Sequence, residues 1–171
     1  MIRLGKPSDN ADTKVLTEAC AVHMQQQGIE QWNEHYPSLA ILTKDLTAGD
    51  AYVYIQDGRL VGTVMFSQDK DPLYNPIQWS TPDAAAYYVH RLAVHPDYQG
   101  QGIAKALMDF VEGKIQQSGG SAVRLDTFSQ NPRNNKFYKA RGYTQLGDIY
   151  FANKSPYPFH CFEKVFRKEN P

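Results

Sequence analysis

Gln99, Gly100, Gln101, Gly102, Ile103, Ala104 and Lys105 follow an apolar run that ends in Leu92, Ala93 and Val94, and they open an amphipathic stretch. Glycines let a backbone come close to a ligand, and a helix start offers unpaired N–H groups at the positive end of its dipole. Together these features suit a phosphate group. The chain has no Gly-x-x-x-x-Gly-Lys-Ser/Thr run, so a Walker loop is excluded. The dinucleotide pattern Gly-x-Gly-x-x-Gly also fails, because Lys105 stands where the third glycine belongs. That fingerprint usually opens its βαβ unit, whereas this loop lies past the middle of the chain.

Gln99, Gly102 and Ala104 do meet the pattern Gln/Arg-x-x-Gly-x-Gly/Ala. A second block follows a strand-like run at residues 123–127. Asn131 and Pro132 end that strand as turn formers, residues 134–141 form a short helix carrying Phe137 and Tyr138, and Gly142 sits where a C-cap glycine belongs. In order and spacing the two blocks, over residues 87–143, resemble the GNAT superfamily of N-acetyltransferases.

The resemblance implies acetyl-CoA as co-substrate, with its pyrophosphate held by backbone N–H groups of residues 99–105. Leu92, Ala93 and Val94 would present backbone groups to the pantetheine arm as an added strand does, in a sheet splayed at that strand, and Asn131 would hydrogen-bond the arm from the other side. Gly102 is expected because a Cβ would obstruct close approach. Tyr138 is the expected acid, since a phenol within reach can protonate the thiolate that leaves when an amine attacks the thioester. The plainer reading of Tyr138 is a packed aromatic beside Phe137. The implied reaction is acetyl transfer to a primary amine, of a small molecule or of a peptide or protein, by direct attack in a ternary complex.

A base is harder to identify. An alkyl ammonium must lose a proton before it attacks, and many GNAT relatives place a carboxylate on the strand before the loop. Here strict alternation sets Tyr88, His90 and Leu92 on one face and Val89, Arg91 and Ala93 on the other. His90 is the candidate base, with Glu30, Glu34, His35 and Asp126 as alternatives; His90 as a structural residue weighs equally. The missing carboxylate supports a second reading, a non-catalytic acyl-CoA binding module. For the acceptor, Trp32, Tyr36, Tyr74 and Trp79 are candidates for an aromatic wall, with Glu30 or Glu34 attracting a cationic amine. The same aromatics suit a core cap or a dimer surface. The family often dimerises, which makes a homodimer the expectation.

Composition narrows the classes. Eighteen Lys and Arg balance eighteen Asp and Glu across 171 residues, which gives no reason to expect nucleic acid or an anionic membrane as partner. Cys20 and Cys161 lack C-x-x-C spacing and read as buried reduced thiols; the five histidines lack ligand spacing, so no metal is expected. The first ten residues contain no apolar signal core, and no apolar run approaches the roughly 18 residues of a membrane span. A soluble cytoplasmic protein is the expectation.

The elements that must position these residues are a short strand at 2–4, helices at 14–27 and 39–44, and a hairpin of residues 51–56 and 60–66 around Asp57-Gly58. A long loop at 69–83 carries Trp79. A strand at 87–94, the main helix at 103–117, and strands near 143–151 and 159–166 complete the chain. Helices first, a central meander and interleaved strands argue for one α/β domain over residues 1–171, around a mixed sheet. The resemblance implies the same, with a mostly antiparallel sheet flanked by helices.

Overall fold

The computed structural model describes residues 1–152 and 154–167. Seven strands form a mixed, mostly antiparallel sheet in the order β1-β2-β3-β4-β5-β7-β6: β1 (Ile2–Leu4), β2 (Ala51–Gln56), β3 (Arg59–Ser67), β4 (Ala86–Val94), β5 (Ala122–Phe128), β6 (Thr144–Ile149) and β7 (Phe159–Val165). The helices are α1 (Asn10–Gln26), α2 (Leu39–Ala48), α3 (Ile103–Gln117) and α4 (Pro132–Ala140). No helix among the described residues is long and apolar enough to cross a membrane. The chain forms two compact units, one of Met1–Phe66 with His90–Val111, the other of Ser67–Val89 with Glu112–Pro171.

In the first unit, β1 lies antiparallel on β2, and β2 turns into β3 through Asp57 (φ 50°) and Gly58 (φ 74°). Positive φ at both central residues is the two-residue turn whose twist matches the flanking strands. α1 begins four residues before the expected position. The Asp9 carboxylate accepts two bonds from Arg3, at 2.8 and 2.9 Å, and one from Lys6 N–H at 2.7 Å. The turn at residues 7–9 therefore runs straight into a polar first helical turn that carries no apolar periodicity. α2 also extends past residue 44, starting at the Ser38 hydroxyl, which accepts from Ile41 N–H. Leu16, Cys20 and Ala21 of α1 pack with Trp32 and Ala93 as one buried cluster.

β4 departs from the expected alternation. Arg91 has φ 54°, a left-handed residue inside a strand, so the faces do not simply alternate through it. Its guanidinium donates to both Asp45 carboxylate oxygens, at 2.6 and 2.9 Å, and to the Tyr36 hydroxyl at 3.2 Å.

In the second unit, the parallel ladder between β4 and β5 covers three pairs and ends at Tyr88 and Arg124. On its other edge β5 pairs with β7 along its whole length, and β7, last in the chain, lies between β5 and β6. Arg124 has no exposed surface. It donates to Glu163 at 2.9 Å, to Asp83 at 2.6 Å, to the Tyr88 hydroxyl at 2.8 Å and to the Thr81 carbonyl at 2.5 Å. Glu163 also accepts from Ser80 N–H at 2.7 Å and the Thr81 hydroxyl at 2.8 Å. These bonds tie residues 80–83, the end of the long loop, to β5 and β7. The end of α3 is held likewise: Glu112 accepts from Arg141, from the Tyr143 hydroxyl and from Lys164.

Gly62 of β3 sets how closely α3 approaches. A Cβ there would lie 3.1 Å from Ile103 and Leu107 methyl carbons and 3.2 Å from Tyr54 Cβ. The last of these is fixed to backbone and cannot swing away. Gly62→Ala is expected to lower stability by about 1–3 kcal/mol through overpacking, read as a fall in urea midpoint at constant slope. An unchanged midpoint would mean that α3 can shift freely.

Candidate functional site

The strand-to-helix loop in the first unit is built from local bonds. Tyr98 N–H donates to the His95 carbonyl at 2.9 Å, and Asp97 N–H to the His95 ring Nδ1 at 3.1 Å. The Gln99 carboxamide turns back to the Val94 carbonyl at 3.2 Å, which also accepts the Cys20 thiol at 3.2 Å. Val94's carbonyl is thus engaged by two side chains. Gly100 and Gly102 have φ of 77° and 80°, and a Cβ on either would meet nothing within 4 Å. Within the chain, glycine is required here by backbone conformation rather than by crowding.

The first bond of α3 runs from Ala106 N–H to the Gly102 carbonyl at 2.9 Å. Helix geometry then leaves the N–H groups of Ile103, Ala104 and Lys105 without intrahelical acceptors. Gln101 and Gly102 are exposed, Ile103 is buried, and Lys105 pairs with Asp109 one turn on at 2.7 Å. This array of outward N–H groups at a helix start suits an anionic group such as a pyrophosphate. Upstream, Leu92 and His90 are half-buried and Ala93 is buried. Among the described residues no His, Cys, Asp or Glu cluster is arranged to hold a metal ion.

In the second unit, Asn131 caps α4: its carboxamide oxygen accepts from Asn134 N–H at 3.1 Å, and Pro132 takes the first helical position. One face of α4 then turns Tyr138 inward, 6% exposed, among Phe137, Tyr143 and Phe162. Its hydroxyl has no hydrogen-bond partner among the described residues. Burial, reinforced by the negative charge of Asp126, pushes the Tyr138 phenol well above its ordinary value, so it keeps its proton at neutral and mildly alkaline pH. Asp126 itself accepts a short hydrogen bond from the fully buried Tyr74.

The candidates for an acceptor wall have varied surroundings. Trp32, 8% exposed, belongs to the core cluster of the first unit, and Tyr36 packs against the same cluster while holding Arg91. Glu30, Glu34 and His35 are exposed. Trp79, half-buried in the second unit, lies over Arg124 at 4.7 Å and donates its indole N–H to the Tyr74 carbonyl at 3.1 Å. Packing therefore occupies Trp32 and Tyr74, while Glu30 and part of Trp79 reach solvent. Burial pushes the Cys20 thiol up to about 12 and raises Cys161 as well, which suits packing rather than nucleophilic attack. Sequence reading passed over Arg91 with Asp45 and Arg124 with Glu163. The available signal was a charged residue in the middle of an apolar strand.

Known proteins share both the sequence pattern and the fold. YesJ of Bacillus subtilis, an uncharacterised N-acetyltransferase, is 26% identical over 148 residues, which are 85% of this chain and 79% of that protein. A GNAT-family acetyltransferase structure from Streptococcus agalactiae is 24% identical with a TM-score of 0.82, over 98% of this chain and 96% of that one. An acetyltransferase structure from Salmonella typhimurium, solved with its cofactor acetyl-CoA, has a TM-score of 0.73 at 14% identity, over 100% of this chain and 96% of that one. At such identities the structures speak for the fold. The model of the acetyltransferase (GNAT) family matches residues 17–143, about three-quarters of the sequence, and the chain belongs to that family.

Proposed function

We propose that the protein transfers the acetyl group of acetyl-CoA to a primary amine by direct attack, and that Tyr138 is the acid. The amine nitrogen forms a bond to the thioester carbonyl carbon, and the carbon–sulfur bond breaks. A base first takes the proton that keeps the acceptor an ammonium; the phenol then gives its proton to the departing thiolate, and the proton shed by the acylated nitrogen makes good the phenol's. His90 of β4 is the candidate for that base. The backbone N–H groups at the start of α3 take the pyrophosphate, and Leu92 and Ala93 offer main-chain groups to the pantetheine arm. Asn131 caps α4 and so holds the helix that carries Tyr138.

The observation that carries this reading over a purely binding role is the Tyr138 side chain, 6% exposed and packed among Phe137, Tyr143 and Phe162, with a phenol that no described residue engages. A phenol that no protein acceptor engages has its O–H free to donate to a ligand atom. Acetyl-CoA as donor is supported by family membership and by the Salmonella relative solved with that molecule. Glu30, Tyr36 and Trp79 remain the residues proposed for the acceptor side, with Glu30 and Trp79 the more accessible, while Trp32 belongs to the core cluster.

Calorimetric titration of acetyl-CoA tests the donor loop. Gly102→Glu sets a carboxylate and a strained left-handed side chain at the helix start, and is expected to weaken binding at least about tenfold. Equal affinity in the variant removes the loop from cofactor binding. Tyr138→Phe is expected to lower kcat by about 100-fold or more, the usual contribution of a positioned acid, with acetyl-CoA affinity nearly unchanged. Because burial raises the phenol, the wild-type rate should show no descending limb up to pH 10 on its account. Turnover by the phenylalanine variant equal to that of wild type would remove Tyr138 from the mechanism, and only an absence of turnover by the wild-type protein would leave the chain as a binding module. For the base, kcat/KM should rise with pH on a limb that His90→Gln abolishes or displaces; an identical profile clears His90 of the role.

A further inference from the structure

Asp57 and Arg91 are the non-glycine residues with positive φ among those described. Asp57 is explained by its hairpin turn, where both central residues must be left-handed. Arg91 has no such turn. It lies inside β4, where a residue with a Cβ disfavours this conformation by roughly tenfold or more.

The surroundings over-determine it. Arg91 and Asp45 side chains are 8% and 6% exposed, and the guanidinium grips both carboxylate oxygens while its remaining arm reaches Tyr36. Asp45 is itself anchored on α2, whose N-terminal end is fixed by the Ser38 cap. Three residues beyond, the Val94 carbonyl is held by Cys20 and Gln99. The strand between these two fixed points is the part that contains Leu92 and Ala93. Strained backbone persists only where neighbours enforce it, and it clusters where a strand must re-aim its polar groups.

We infer that Arg91 is a positioning residue: its buried grip on Asp45 and Tyr36 holds β4 in a left-handed kink that aims the Leu92 and Ala93 backbone at the pantetheine arm. The inference deepens the proposed acetyl-CoA reading and rests on it. The guanidinium acts through the strand and does not touch the reacting atoms.

A comparison of two double variants isolates the kink. Arg91→Ala/Asp45→Asn and Arg91→Gly/Asp45→Asn both lack the ion pair and differ by one Cβ, so only the glycine variant adopts positive φ without penalty. Calorimetric titration with acetyl-CoA should find the alanine variant about tenfold weaker than wild type and the glycine variant within about threefold of it. Equal affinities in the two variants overturn the positioning role alone. Absence of binding by wild-type protein overturns the acetyl-CoA reading and this inference together. If circular dichroism shows that the alanine variant does not fold, Tyr36→Phe replaces it, removing only the hydroxyl that holds Arg91. Weaker acetyl-CoA binding with little change in melting temperature then supports the role, and unchanged affinity refutes it.

Discussion

A guanidinium taken out of water must find acceptors for its donors, because an unpaired buried charge costs several kcal/mol. Much of this fold follows from meeting that demand twice. Arg124 is wholly enclosed, and its acceptors come from β4, β7 and the end of the loop that precedes β4. One side chain on β5 thereby holds β7 and the continuous segment of residues 81–88 together in the second unit. Arg91 does the same in the first, drawing α2 and the segment after α1 to β4. Such pairs add little net stability relative to well-packed apolar residues, but losing one partner is severe. Their value here lies in fixing the path of backbone that apolar packing alone would leave adjustable.

That same feature explains what could be read from the chain directly. α3 runs over the expected residues because Ile103, Leu107, Val111 and Ile115 recur at helical steps and are all buried. The hairpin was equally plain, since Asp57-Gly58 is a local turn signal. The start of α1 was hidden because its first turn is polar and is stabilised by Arg3, a residue of β1. Asp45 is 46 positions from Arg91 and Glu163 is 39 from Arg124, and no local pattern links partners at such separations. The kink in β4 was invisible for the same reason: arginine carries no signal for positive φ.

The candidate site divides along similar lines. The geometry of the glycine loop was legible because its demands are local, two left-handed glycines and a helix start within a few residues. Tyr138 stood out through its place in a motif, although its enclosure by Tyr143 and Phe162 depends on the strands that follow. The aromatic residues grouped for the acceptor had no comparable local test. An indole serves equally well in a core or in a pocket wall, and Trp32 went to the core with Leu16 and Cys20.

The two cysteines have a practical bearing on the chemistry. Both lie under other side chains and both hold their protons more tightly than an exposed thiol. Reagents that report free sulfur react with thiolates. The folded protein is therefore nearly silent to them, and sulfur that appears in such an assay during turnover comes from the leaving group. The packing of Cys20 and Cys161 thus supplies a dark background against which acyl transfer can be watched with no label on either substrate.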